Sequence, residues 1–63
     1  MKSIIFTSTE NTPDKAINNA FDEFNLWVRS HIGEIVSLSH HIIKDDNLGS
    51  SYLATIIVVV TNH

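Results

Sequence analysis

The chain has no cysteine, one proline and two glycines in 63 residues. Without cysteine there is no disulfide framework, no thiol nucleophile and no thiolate metal site, and a reducing compartment is the matching environment. With only Gly33 and Gly49, a glycine-rich phosphate loop is excluded, and no Gly-x-Ser-x-Gly elbow is present. Basic residues are also few. Lys2, Lys15, Arg29 and Lys44 are scattered among seven acidic side chains, for a formal charge of -3. Such a chain has no basic stripe to displace counterions from a phosphate backbone, which excludes a nucleic acid polymer as partner. Long apolar runs are missing too: the opening Met1 to Phe6 is too short for the apolar core of an export signal. Ala54 to Val60 falls far below the ~20 residues of a membrane-spanning helix. The expectation is one domain over residues 1–63, cytoplasmic, with no membrane partner.

What is present is a strong β-forming C-terminal segment. Tyr52 to Val60 reads Tyr-Leu-Ala-Thr-Ile-Ile-Val-Val-Val, apolar on both of the faces to which a strand points its side chains. Lys2 to Thr7 reads as a first strand, followed by the turn chemistry of Ser8 to Thr12. Thr12 and Pro13 form an N-cap and first helical position, with Asp14 complementing the helix dipole. Ile17, Ala20, Phe21, Phe24, Val28, His31 and Ile32 then recur at spacings of three and four. They predict a helix that stops near Gly33. Glu34 to Lys44 and Ser51 to Thr61 predict a hairpin joined through Asp45 to Ser50.

These elements predict an α+β fold: a three-stranded antiparallel sheet, β-α-β-β, in strand order 1-3-2, with one helix on one face. Opposing Lys44 with Ser51 pairs Val36 with Val59, Leu38 with Ile57 and Ile42 with Leu53. The other face then carries Ile35, Ser37, Ser39, His41 and Ile43 beside Val60, Val58, Ile56, Ala54 and Tyr52. One helix covers one face, so the second is expected to be buried by oligomerisation. A domain this small buries only about 60% of its extended-chain surface, which adds to the case for self-association. The expected interface residues are Leu26, Ile35, Ile43, Ile56, Val58 and Val60, and Val58→Asp is expected to break the assembly.

This layout resembles the dodecins, small β-α-β-β proteins that form hollow twelve-subunit assemblies and bind flavins. The resemblance rests on the element order, on Thr7-Ser8 after the first strand, and on Ala16-Ile17 and Ala20 in the helix. It implies fold and oligomerisation. That family stacks flavin on a tryptophan after the helix and hydrogen-bonds it from a glutamine in the third strand. Here Trp27 lies within the helix, and Ala54 and Thr55 stand where the glutamine is expected, so flavin binding carries over to no residue. The chain also resembles short sporulation-associated and phage proteins with the same element order.

The remaining chemistry is sparse. His40 and His41, as neighbours on a strand, point to opposite faces and do not chelate one ion within a subunit; a metal site needs His31, His63 or a carboxylate to converge, or symmetry to bring copies of His41 together. Asp45-Asp46 reads as a solvated turn, and Asp22 and Glu23 as the wet side of the helix. If His41 sits on the associating face, its protonation weakens assembly. Leu26 lies opposite the apolar stripe and Trp27 at its margin. Trp27 has either an anchor role or a stacking role toward an aromatic ligand. With His41 and Tyr52 it is a candidate ligand-binding residue. Two functions follow. The first is a non-enzymatic homo-oligomeric module that sequesters a small aromatic or nucleotide-like ligand at subunit interfaces, its cofactor unspecified. The second is a structural or regulatory adaptor that binds another protein through its sheet face or edge.

Overall fold

The computed structural model describes residues 1–31, 33–45, 49 and 51–61, with Asp45 described through its backbone alone. Its elements are β1 (Lys2–Glu10), α1 (Pro13–Val28), β2 (Ile35–Asp45) and β3 (Ser51–Val60). The sheet is antiparallel throughout, in the order β1-β3-β2. The strand that is apolar on both faces therefore takes the centre, where both edges of its backbone are paired. The body is thin, 42 × 19 × 12 Å.

β1 runs three residues beyond the expected Thr7. Ser8, Thr9 and Glu10 have turn composition, yet they continue the ladder opposite Ala54, Leu53 and Tyr52. A partner strand of matching length outweighs local turn preference here. At the helix start, Thr12 is extended and its Oγ1 accepts from the Lys15 N–H at 3.3 Å, with Pro13 following.

The helix ends at Val28, well before Gly33. The Trp27 carbonyl accepts from the Ser30 N–H at 3.3 Å and the Ser30 hydroxyl at 3.2 Å, and lies 2.8 Å from His31 Nδ1. These groups replace the amides of a further turn and satisfy the helix end early. Gly33, at φ +90°, serves the reversal into β2 rather than the helix cap. That reversal is tied to the sheet by the Thr61 N–H, which donates to the Glu34 carbonyl at 2.8 Å. Ile32, Asp46 to Leu48, Ser50 and His63, which figure in the sequence expectations, lie outside the described residues.

The hairpin register differs from expectation by one residue. Lys44 pairs with Tyr52, Ile42 with Ala54 and Leu38 with Val58, and a bulge between Ile35 and Ser37 leaves Val36 as the extra residue. A one-residue slip moves every side chain to the other face. The observed pairing places Leu38 and Ile42 beside the aliphatic row Ala54, Ile56, Val58 and Val60, where the expected one gave that row Ser37, Ser39 and His41. The helix side of β2 thus carries Leu38, His40 and Ile42, with His40 opposite Ile56.

That row is the core. Ala54, Ile56, Val58 and Val60 are buried beneath α1 together with Ala16 and Ala20. Two alanines let the helix backbone lie close to the sheet, and Ile4, Phe6, Ile17, Phe21, Phe24, Trp27 and Tyr52 pack around the contact. Ile56, Val58 and Val60, expected at the subunit interface, are therefore interior residues of the single chain. The face away from the helix carries Leu53, Thr55, Ile57 and Val59 instead, by strict alternation along β3.

Candidate functional site

The three residues expected to contact a ligand do not converge. Trp27, in the last turn of α1, lies beside the β1 start and the β3 end, near Lys2 and Val60. Tyr52 sits at the opposite end of β3, between Glu10 and Lys44, which is eight residues or ~27 Å along the strand from Val60 at ~3.4 Å per residue. His41 pairs with Thr55 and projects from the face away from the helix, so it shares neither end nor face with the other two. No site within one chain is built from this trio.

Trp27 does line a cleft of about 230 Å³, together with Lys2, Ile4, His31, Glu34, Val60 and Thr61. Its indole is not a free platform. The His31 imidazole lies on it, ring centroids 4.2 Å apart and 7° from parallel. Phe6 meets the indole edge to face at 5.9 Å, and Phe24 lies tilted at 6.2 Å. The Trp27 carbonyl can only accept, so the short contact to His31 Nδ1 assigns the proton to that nitrogen. In the neutral ring Nε2 is then the acceptor. The sequence pattern placed His31 on the apolar stripe and Trp27 at its margin, without pairing them. The i, i+4 spacing of Trp27 and His31 was the available signal. Lys2 and Glu34, which bring opposite charges to the cleft rim, carried none.

The second candidate surface is the sheet face opposite α1. By register it presents Ser3, Ile5, Thr7 and Thr9 from β1; Leu53, Thr55, Ile57 and Val59 from β3; and Ser37, Ser39, His41 and Ile43 from β2. Cross-strand rows run Ile5–Ile57–Ser39, Thr7–Thr55–His41 and Thr9–Leu53–Ile43. Ile5 is 60% exposed and Ile43 58%. Among the described side chains this face carries no acid and no lysine or arginine. Those of β1 and of β2 as far as Lys44, namely Lys2, Glu10 and Lys44, alternate onto the helix side. Leu26 is likewise exposed, on the outside of α1.

No three His, Cys, Asp or Glu side chains converge among the described residues. Nor, among those residues, is any helix long and apolar enough to cross a membrane. The chain matches no protein-family model, no curated protein and no solved structure.

Proposed function

We propose that the protein is a non-catalytic homo-oligomeric binding module whose open sheet face is closed by a second copy of itself. The observation that carries this reading is that, among the described side chains, this face bears no acid, lysine or arginine and sets Ile5, Leu53, Ile57, Val59 and Ile43 among serines, threonines and His41 across all three strands. About ten residues at ~3.4 Å by three strands at ~4.8 Å give roughly 490 Å² of plan area per copy, or about 1,000 Å² for two. That is the ~1,000 Å² floor of a biological interface, short of the ~1,200 Å² at which stable, specific ones begin. A self-copy suits the face because a chain of net charge -3 brings none of its lysine, arginine or described acidic side chains to the contact, so like charges stay apart. The β-α-β-β order shared with the dodecins is in keeping with assembly.

The ligand in this reading is a single flat ring system with one anionic group. A ring would take the place of His31 on the Trp27 indole, and Lys2 would meet the charge. The cleft is smaller than the ~300 Å³ at which drug-sized pockets start, which limits the guest to about one base-sized ring. Native mass spectrometry of the purified chain tests the proposal. A discrete oligomer carrying extra mass supports it and weighs the guest. A bare monomer overturns it and favours the protein-binding adaptor.

A further inference from the structure

Among the described residues, five of the eight large exposed hydrophobics belong to one strand: Ile35, Val36, Leu38, Ile42 and Ile43, all on β2. The cause is geometric. α1 packs on β1 and β3 and reaches β2 through little more than the Phe21–His40 ring contact at 6.2 Å. A helix about 10 Å across covers two strands spaced ~4.8 Å apart, not three. Leu38 and Ile42 therefore point to the helix side of the sheet beyond the reach of the helix and are 40% and 42% exposed.

β2 is also an edge strand without the usual protection. From Ile35 to Ile43 it has no proline and no charged residue, whereas soluble proteins commonly place lysine or proline on such an edge. Its bulge lies at the Ile35–Ser37 end, leaving Leu38 to Lys44 in unbroken register with β3. β1, the other edge, likewise has charges only at its ends, Lys2 and Glu10, as β2 has Lys44 and Asp45, but it differs in being covered by α1, with Phe6 packed under Phe24 and Trp27.

We infer that β2 is a second self-association site, pairing antiparallel with β2 of another copy about a two-fold axis at His40. The register follows from the positions of the apolar residues. Leu38 and Ile42 are placed symmetrically about His40, so this axis sets each Leu38 opposite the partner's Ile42 on the helix side of a continuous six-stranded sheet. It also keeps Lys44 opposite the bulged segment near Val36 rather than opposite another lysine. Shifting the axis to Ser39 or His41 loses the Leu38–Ile42 match. The axis stands perpendicular to the sheet, while the axis of the proposed face-to-face contact lies between two sheets. Where the two axes intersect at right angles, the two contacts close at four chains, with the helices outside and the neutral faces inside.

Amide hydrogen exchange on the full chain, read residue by residue by NMR, tests this directly. An unpaired edge protects alternate amides only, because every second N–H points to solvent. The expected result is protection of consecutive β2 amides from Leu38 to Ile43, by at least about two orders of magnitude over unstructured amides, while β1 keeps an alternating pattern. Alternating exchange along β2 in the wild-type protein would overturn the inference.

Ile42→Lys and Leu38→Lys give the second readout, since both side chains are already partly exposed. Each is expected to halve the assembly mass, retain the wild-type circular dichroism spectrum and restore alternating exchange in β2. Unchanged mass in both overturns the edge pairing. Ile57→Asp, on the open face, separates the two contacts. If it alone lowers the mass, the face reading stands and the edge fails. If only the β2 variants lower it, the edge stands and the face reading fails.

Discussion

His31 caps the carbonyl of the residue whose ring it covers: its Nδ1 is 2.8 Å from the Trp27 oxygen while the two rings stack at 4.2 Å. One side chain thus closes the helix and shields the indole. Both interactions depend on the chain turning at Arg29 and Ser30, and both are lost together if the imidazole is removed.

His31→Ala is accordingly expected to destabilise the fold by about 1–2 kcal/mol, combining a lost cap-type hydrogen bond with a lost ring contact. Trp27 is the only tryptophan, so its emission reports the site without interference. The expected signature is a red-shifted emission maximum as water reaches the indole, with a lower urea midpoint. An unshifted spectrum would show that His31 does not cover the ring in solution.

Neighbouring residues of β3 should respond oppositely to the same substitution. Ile57→Asp places a charge on the open face and is expected to dissociate the assembly while leaving the chain folded. Ile56→Asp and Val58→Asp place one beneath α1, where an unpaired carboxylate has no partner, and are expected to unfold it. Circular dichroism with size-exclusion chromatography distinguishes the two results. Similar behaviour of all three variants would contradict the face assignment.

Ala20 is fully buried where α1 meets the sheet. Ala20→Leu is expected to cost about 1–3 kcal/mol through overpacking, because the helix has to lift off β3 to admit the side chain. Chemical denaturation measures the change. A neutral or stabilising result would mean that the helix–sheet spacing is looser than described.

Thr12→Ala removes the oxygen that accepts from the Lys15 amide and is expected to lower stability by about 1 kcal/mol. Thr12→Asp should retain most of the wild-type value, since aspartate caps equally well and suits the helix dipole. A loss of equal size in both variants would place the role of Thr12 elsewhere.

The order of elements and the position of β3 were legible because they rest on periodicity and on one unmistakable apolar run. The Thr12-Pro13 start was legible for a local reason, since capping is decided within four residues. The register was not. It turns on whether Lys44 opposes Ser51 or Tyr52, a choice fixed by which β2 residues join the row under α1. Once it moved by one, Ile56 and Val58 passed from the expected interface to the core. The early helix end was hidden for another reason: His31 fits the helical stripe by spacing, yet acts from beyond the last turn. The distance between Trp27 and Tyr52 follows from the expected strand directions, since the helix end lies at the β3 C-terminus and Tyr52 at its start.

The 12 Å thickness has its own consequence. One helix seated on two alanines over a single sheet is about as shallow as a folded layer pair can be. Half of that depth is little more than one side chain, so a reactive group anywhere in the chain lies within a water layer or two of the outside. In the proposed assembly the space between copies would be the deeper enclosure, and it would open and close with concentration rather than with a hinge.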